Sequence, residues 1–234
     1  MEVNVGDVVL PGDVIQAPNT NDKGKLILGP GLCRHMDEVL ITTSGVLRKK
    51  GRNVYWVDSH RKRYVPVKGD TVVGVVVNRS GDTFKVDIGS SEQASLSYLA
   101  FEGATKKNRP DVQIGDIVFA KLLEASRDLE PELVCVDSYG KKGKLGVLPE
   151  GGFIFTCSLN LIRKILNPKC QMLKILGSEI PYDIAVGMNG KLWLKTKSIK
   201  ETIAIVNAIL TAEHLQHHEI ASLCDDVINA LKGM

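Results

Sequence analysis

Aromatic residues are scarce in this sequence, at 5% of 234 residues. Because hydrophobic residues still make up 44% of the chain, the cores must be mostly aliphatic. That share, with 24% charged residues and a mean hydropathy of +0.00, is typical of a globular protein and not of a disordered one. A chain of this length is expected to divide into two or three small domains.

Three further features are missing, and each excludes a class of protein. The five cysteines are scattered and include no Cys-x-x-Cys pair, which argues against a disulfide framework and a zinc site and favours a reducing compartment. No apolar run reaches membrane-spanning length, and residues 1–10 do not resemble a secretory signal. We therefore expect a soluble intracellular protein with no membrane contact and no cofactor.

A strong excess of one charge is also lacking, since the net charge is only +3. The basic residues are nevertheless clustered near turns. The clusters are Arg48, Lys49, Lys50, Arg52, Arg61, Lys62, Arg63 and Lys68; then Lys106, Lys107 and Arg109; then Lys141, Lys142 and Lys144. Any one of them could be a solvated loop. Three together favour a surface that faces a polyanion.

The first two-thirds of the chain carries short β-branched runs between Gly/Asp turns. The predicted strands are 8–10, 25–28, 39–43, 54–57, 71–77, 83–88 and 117–122. Many short strands with such turns are typical of small barrels or sandwiches, and not of a parallel sheet with crossover helices.

The last third begins with a predicted strand at 153–155 and then changes to a helical period. Ser158 is a candidate N-cap for a helix that Pro168 stops. A short helix over 171–176 is expected to end at Gly177.

Two more strands, 182–186 and 192–195, then follow, with an Asn-Gly dipeptide between them that predicts a hairpin. Ser198 and Glu201 predict a capping box for the next helix. A final helix is expected to close on Gly233. The order strand, helix, helix, strand, strand, helix, with one added helix, is that of a KH fold.

Two stretches carry a resemblance to known families. The segments 67–76, 82–89 and 113–121 resemble an S1-like OB barrel, in which one Gly-Asp turn opens the first strand and another opens the fourth. The segment 183–193 contains Gly187-Met188-Asn189-Gly190, which resembles the Gly-x-Asn-Gly signature of RNA exosome cap subunits of the S1/KH type. Further strings resemble the same family over essentially the whole chain. They are 55–59, 63–70, 94–99 and 101–106.

The resemblance completes the fold prediction. We expect a multidomain protein that is β-rich with an α/β part. Its parts are a small N-terminal β-barrel or sandwich over 1–64, an S1-like OB barrel over 65–147 and a KH domain with a C-terminal helix over 148–234.

The resemblance also implies a role. Cap subunits of this family hold together a ring of RNase PH-like subunits and guide single-stranded RNA into its channel. The implied partners are those ring subunits, the other cap subunits and, indirectly, the attached 3′-to-5′ exoribonucleases. The implied processes are rRNA maturation and RNA turnover, in the nucleus, the nucleolus and the cytoplasm.

OB folds bind single strands with stacked aromatic rings and basic side chains, so six residues are candidate RNA contacts. They are Lys106, Lys107, Arg109, Lys85, Phe84 and Tyr98. The first three lie in a polar loop before the fourth strand of the barrel and are the favoured phosphate contacts. For Phe84, core packing and base stacking both remain open.

The KH part is predicted to be structural. A working KH clamp places Gly-x-x-Gly between its first two helices, where bare backbone grips nucleotides. Here that turn is Asn167-Pro168-Lys169-Cys170, without glycine and with a proline that has no N–H to donate. The Gly187–Gly190 element joins two strands, and is expected to be a tight hairpin against a neighbouring domain.

Catalysis is not predicted. His214, His217 and His218 do not combine with carboxylates or a cysteine pair into a metal shell, and no phosphate loop or paired carboxylates are present. A nuclease fragment of the polynucleotide phosphorylase type would carry its KH domain before its S1 domain. A free-standing S1/KH RNA-binding or chaperone protein remains the alternative to an exosome subunit.

Overall fold

Short strands with buried aliphatic residues build the first of two units into which the chain divides, residues 1–60 and 61–234. The computed structural model describes residues 4–15, 26–36, 38–51, 53–60, 63–126, 129–216 and 219–232. Several residues of the predictions above lie outside this description. They are Lys25, Arg52, Arg61, Lys62, His217, His218 and Gly233.

Residues 1–60 form two small sheets. Their strands are β1 (Val8–Val9), β2 (Val14–Ile15), β3 (Ile27–Leu28), β4 (Leu32–His35), β5 (Glu38–Ile41), β6 (Gly45–Lys50) and β7 (Val54–Asp58). One sheet has the order β1-β6-β7-β3 and the other β2-β5-β4. Their core is aliphatic, with Val9, Val39, Ile41, Leu47 and Val57 buried.

Strand β6 was not predicted, because its second half is the basic run Arg48–Lys50. The strand geometry gives two of these residues partners on β7. Arg48 Nε lies 4.0 Å from Asp58 Oδ2, and Lys49 Nζ lies 5.0 Å from the centre of the Tyr55 ring. Part of this basic cluster thus has partners within its own sheet.

The second unit begins with a five-strand barrel. The strands are β8 (Thr71–Ser80), β9 (Thr83–Asp87), β10 (Ala94–Ser97), β11 (Ile117–Glu124) and β12 (Glu132–Val134), with β13 (Gly146–Val147) added beside β11. The sheet order is β12-β10-β9-β8-β11-β13, and β12 also pairs with β11, which closes the barrel. Alternate residues of each strand fill the interior, including Val72, Val86, Leu96, Val118 and Leu133.

The two Gly-Asp turns hold the opposite ends of the β8–β11 pair. Gly69 N donates to Leu122 O and Leu122 N to Asp70 O, while Gly115 N donates to Val76 O and Val76 N to Asp116 O. Both glycines have positive φ, +93° and +101°, which explains the residue type. The S1-like barrel and its two marker turns are confirmed.

The KH part follows in the predicted order. Its elements are β14 (Phe153–Thr156), α1 (Leu159–Leu166), α2 (Met172–Glu179), β15 (Tyr182–Val186), β16 (Lys191–Thr196), α3 (Ile199–Thr211) and α4 (Glu219–Lys232). The strands form an antiparallel sheet of order β14-β16-β15. Ser158 caps α1 as predicted, since its Oγ accepts a 3.1 Å hydrogen bond from Leu161 N. The fold-class prediction is confirmed.

Two local predictions were wrong. Helix α2 does not end at Gly177 but continues to Glu179, because its C-cap residue Ile180 is buried in the core and donates its N–H to Leu176 O at 2.9 Å. Ser198 stands at the N-cap position of α3 but makes no side-chain capping bond, so no capping box forms. Thr196 and Thr202 each donate their Oγ1 to Ser198 O, which fixes this end of the helix instead.

Candidate nucleic-acid interface

The loop that precedes β11 presents two of the predicted RNA contacts at its tip. Thr105 N donates to Asn108 O, and Asn108 N donates to Thr105 Oγ1, both at 3.0 Å. These reciprocal bonds close a tight turn with Lys106 and Lys107 between them, both exposed. Neither ammonium group is paired with a carboxylate of the described residues.

Arg109 differs from these two lysines because its guanidinium is already held. Its central carbon lies 4.8 Å from the centre of the Tyr98 ring, and its Nη1 lies 3.2 Å from Asp82 Oδ1. Stacking on an aromatic face and pairing with a carboxylate fix its direction. Asp82 also offsets part of its charge.

Phe84 and Tyr98 do not present open rings, so their prediction as base-stacking residues was wrong. Only 3% of Phe84 and 5% of Tyr98 is exposed, and both belong to the barrel core. Arg79 and Arg109 lie over the two rings respectively. A base stacks on a free face, and none is left here. For Phe84 the alternative of core packing is the one that the structure supports.

Lys85 lies next to Phe84 on β9 and points to the outside of the barrel. Its Nζ is hydrogen-bonded to the Glu130 carboxylate. A phosphate would have to displace that carboxylate before it could bind Lys85. Of the predicted basic contacts, Lys106 and Lys107 therefore offer the least compensated charge.

The turn between α1 and α2 cannot act as a KH clamp. Lys169 N donates to Asn167 Oδ1 at 3.0 Å and Cys170 N donates to Asn167 O at 2.8 Å. Pro168 has no N–H. The N–H groups of Lys169 and Cys170 are thus bonded within the turn. Pro168, Lys169 and Cys170 therefore offer no free backbone donor to a nucleotide.

The Gly187–Gly190 hairpin inserts an amide side chain into the edge of the barrel. Asn189 Oδ1 accepts a bond from Val73 N at 3.2 Å, and its Nδ2 donates to Val73 O at 2.8 Å and to Ile88 O at 2.7 Å. Met188 N adds a backbone bond of 2.8 Å to Thr71 O. The hairpin is therefore bonded to the backbone of β8 and of Ile88, which follows β9.

Positions 187 and 190 of this hairpin require glycine for different structural reasons. A Cβ on Gly187 would lie 2.7 Å from Val73 N, so the close approach to the barrel requires glycine. Gly190 has a φ of +85°, and a Cβ there would also lie 2.8 Å from Cys157 O. The Gly-x-Asn-Gly motif thus forms part of the junction between the S1 and KH parts.

An ion pair lies beside this junction. Lys191 Nζ donates to Asp87 Oδ2 at 2.9 Å and to Asp87 O at 3.1 Å. The hydrogen bond from Lys191 lowers the pKa of the Asp87 carboxyl below its ordinary value. The Asp87 carboxyl thus stays ionised at neutral pH, and its bonds with Lys191 tie β16 to the end of β9.

Apolar side chains complete the junction. Trp193 on β16 is 2% exposed and packs with Val73 and Ala185. Barrel residues Ile117 and Phe119 lie against the same cluster. One face of the KH sheet therefore covers the barrel, while Leu194 on the same strand faces the helices.

Among the described residues, no three His, Cys, Asp or Glu side chains are grouped to hold a metal. No helix in the described ranges is long and apolar enough to cross a membrane.

The fold and its loops define an S1–KH protein with an added N-terminal β domain. Three family models match consecutive parts of it: the N-terminal part of mammalian exosome complex component RRP40 at residues 7–60, the S1 domain of RRP40 at 64–146 and a KH domain at 152–200. The exosome complex component RRP40 of Drosophila melanogaster is 50% identical over 227 residues, covering 97% of both chains. This chain belongs to the RRP40 family of exosome components.

More distant relatives are also named exosome complex components. Human exosome complex component RRP40 is 44% identical over 237 residues, covering 90% of this chain and 86% of the relative. Exosome complex component Rrp4 of the archaeon Methanothermus fervidus is 29% identical, covering 84% and 83%. A crystal structure of an exosome complex RNA-binding protein superimposes with a TM-score of 0.57 at 25% identity, covering 73% of this chain and 96% of that one. The resemblance to exosome cap subunits is confirmed.

Proposed function

We propose that this protein is a non-catalytic, RNA-binding cap subunit of the RNA exosome. It stabilises the RNase PH-like ring and guides single-stranded RNA into the channel for 3′-to-5′ processing and degradation, including rRNA maturation. It acts in the nucleus, the nucleolus and the cytoplasm. The observation that carries the proposal is the 50% identity to an exosome component along 97% of both chains, across all three domains.

Affinity capture from the native cell, followed by mass spectrometry, tests this proposal. RNase PH-like subunits and other cap subunits should be recovered in stoichiometric amounts, and the chain purified alone should not degrade RNA. Recovery of the chain without any RNase PH-like protein would favour the alternative, a free-standing S1/KH RNA-binding protein.

Contact with RNA is proposed for the loop of Lys106, Lys107 and Arg109. Uncompensated lysines at the tip of a closed turn attract phosphates without needing a particular base. Arg109 is oriented by Tyr98 and Asp82 and supplies a directed donor beside them. Lys85 is proposed only as a secondary contact, because its ammonium group must first separate from the Glu130 carboxylate.

Replacing Lys106, Lys107 and Arg109 together with alanine should weaken RNA binding and flatten its salt dependence. Each phosphate contact to a single strand contributes roughly 0.7 to the slope of log affinity against log salt, so the slope should fall by about 2. Fluorescence anisotropy over a salt series measures it. Alanine at Lys169, Lys174 and Lys200, exposed lysines of the KH part, removes the same charge as a control. Equal slopes in the two triple variants would remove the loop from the RNA path.

We assign the KH part a structural role, because its turn between α1 and α2 has no free donors and its hairpin is bound to the barrel.

The domain boundaries after residues 64 and 147 stay a prediction. Limited proteolysis should cut first near residue 64, since the S1 and KH parts share the junction around Asn189.

A further inference from the structure

The loop between β12 and β13, residues 135–145, exposes an aromatic ring among lysines. Tyr139 is exposed over 87% of its surface. Lys141, Lys142 and Lys144 follow it within five residues and are also exposed. Phe84 and Tyr98 are buried, whereas the Tyr139 ring lies in solvent.

The loop is held in shape by its own hydrogen bonds. Asp137 Oδ1 accepts bonds from Tyr139 N and Lys141 N, both 2.9 Å long. Asp137 N donates to Lys141 O at 2.8 Å, and Gly140 turns with a φ of +73°. The backbone of such a preformed turn loses little conformational freedom when the loop binds a ligand.

The charges of the loop favour a polyanion. None of the three lysines is paired with a carboxylate within the part of the chain that the structure describes. Two carboxylates lie at the loop, Asp137 within it and Glu102 beside it, and both accept hydrogen bonds from its backbone amides. Exposed aromatic rings between uncompensated cations are the means by which single-stranded nucleic acid is bound, with bases on the rings and phosphates on the cations.

Two bonds place this loop beside the loop of Lys106 and Lys107. Lys142 N donates to Glu102 Oε2 at 2.8 Å, and Cys135 N donates to Ala100 O at 2.9 Å. Ala100 and Glu102 lie at the start of the segment that leads to Lys106. The loop of Tyr139 is therefore bonded to the start of the segment that carries Lys106 and Lys107.

We propose that Tyr139 stacks on a base of single-stranded RNA while Lys141 and Lys144 contact the adjoining phosphates. The proposal rests on the proposed function, of which it names a further binding site. It supplies the stacking contact that the buried rings of Phe84 and Tyr98 cannot make.

Binding of two fluorescent oligomers by the full chain tests this site. One is a 12-nucleotide oligouridylate, and the other is an abasic ribose-phosphate chain of the same length. Tyr139→Ala should weaken binding of the oligouridylate by about 10-fold, within the range for the loss of one stacked base, and leave the abasic chain unaffected. Tyr139→Trp should restore binding of the oligouridylate. Ile199→Ala, which truncates an exposed apolar side chain of the KH part, is the matched control.

The possible failures are distinguishable. If Tyr139→Ala binds both oligomers like the wild type while the Lys106, Lys107 and Arg109 variant binds less, this site is wrong and the proposed function stands. Equal weakening on both oligomers would exclude stacking. If Tyr139→Ala changes recovery of protein subunits and not RNA affinity, the loop is a protein contact. A wild type that binds neither oligomer would overturn both the RNA-binding part of the proposed function and this site.

Discussion

Trp193→Ala is expected to lower the free energy of unfolding of the S1–KH unit by about 3–5 kcal/mol. The indole fills the space between β16 and the barrel, and it packs so closely on Gly152 that a Cβ on that glycine would overlap the ring. Alanine would leave a cavity that neither the KH sheet nor the closed barrel can collapse to fill. Urea denaturation followed by circular dichroism of the four helices measures the loss.

Trp193→Phe separates packing from polar effects. Phenylalanine keeps most of the buried volume and removes an indole N–H that has no hydrogen-bond partner among the described residues. Its cost should therefore be well below that of alanine. If Trp193→Ala unfolds at the same urea concentration as the wild type, the junction does not carry the stability assigned to it.

Asn189→Ala is expected to cost about 3 kcal/mol or more. The substitution removes three hydrogen bonds at once and leaves Val73 N, Val73 O and Ile88 O buried without partners. Each buried group that loses its partner costs roughly 1–3 kcal/mol, so the sum is large even with partial relaxation. The same denaturation experiment measures it.

Asn207→Ala is the control for Asn189, because Asn207 is an exposed asparagine on α3. It should change stability by no more than about 0.5 kcal/mol, as surface substitutions usually do. The two asparagines differ in burial and partners and not in chemistry. A similar, small effect at both positions would mean that the Asn189 bonds are not formed in solution.

The order of elements in the KH part could be predicted because its signals are local. Ser158 as a cap and the Asn-Gly hairpin depend on neighbouring residues only. The predictions from Gly177 and from the Ser198–Glu201 pair were wrong because they also used neighbouring residues only, whereas these two sites are determined by packing and by other bonds. Packing of Ile180 and the bonds of Thr196 and Thr202 overrode the local preference.

The candidate site was harder to predict, because its determinants are long-range. Whether Phe84 lies inside or outside a closed barrel depends on which face of β9 is turned inward, and the flanking residues do not settle that. The partners of Asn189 lie 116 and 101 residues away in the chain. Tyr139 could have been found in the sequence as an aromatic residue next to a basic run, but its exposure depends on how the loop between β12 and β13 folds.

The two parts of the S1–KH unit have different roles. The barrel loops provide charge and an open ring, while the KH part, whose clamp donors are satisfied internally, supports the barrel through Asn189, Lys191 and Trp193. Any RNA that crosses this protein should therefore contact the loops and avoid the turn between α1 and α2.

Photo-crosslinking of single-stranded RNA containing 4-thiouridine to the full chain in its native assembly, with the crosslinked peptides mapped by mass spectrometry, tests this division most directly. Crosslinks are expected within residues 101–109 and 135–145, and none at 167–170. Crosslinks concentrated at 167–170, with the two barrel loops unlabelled, would contradict it.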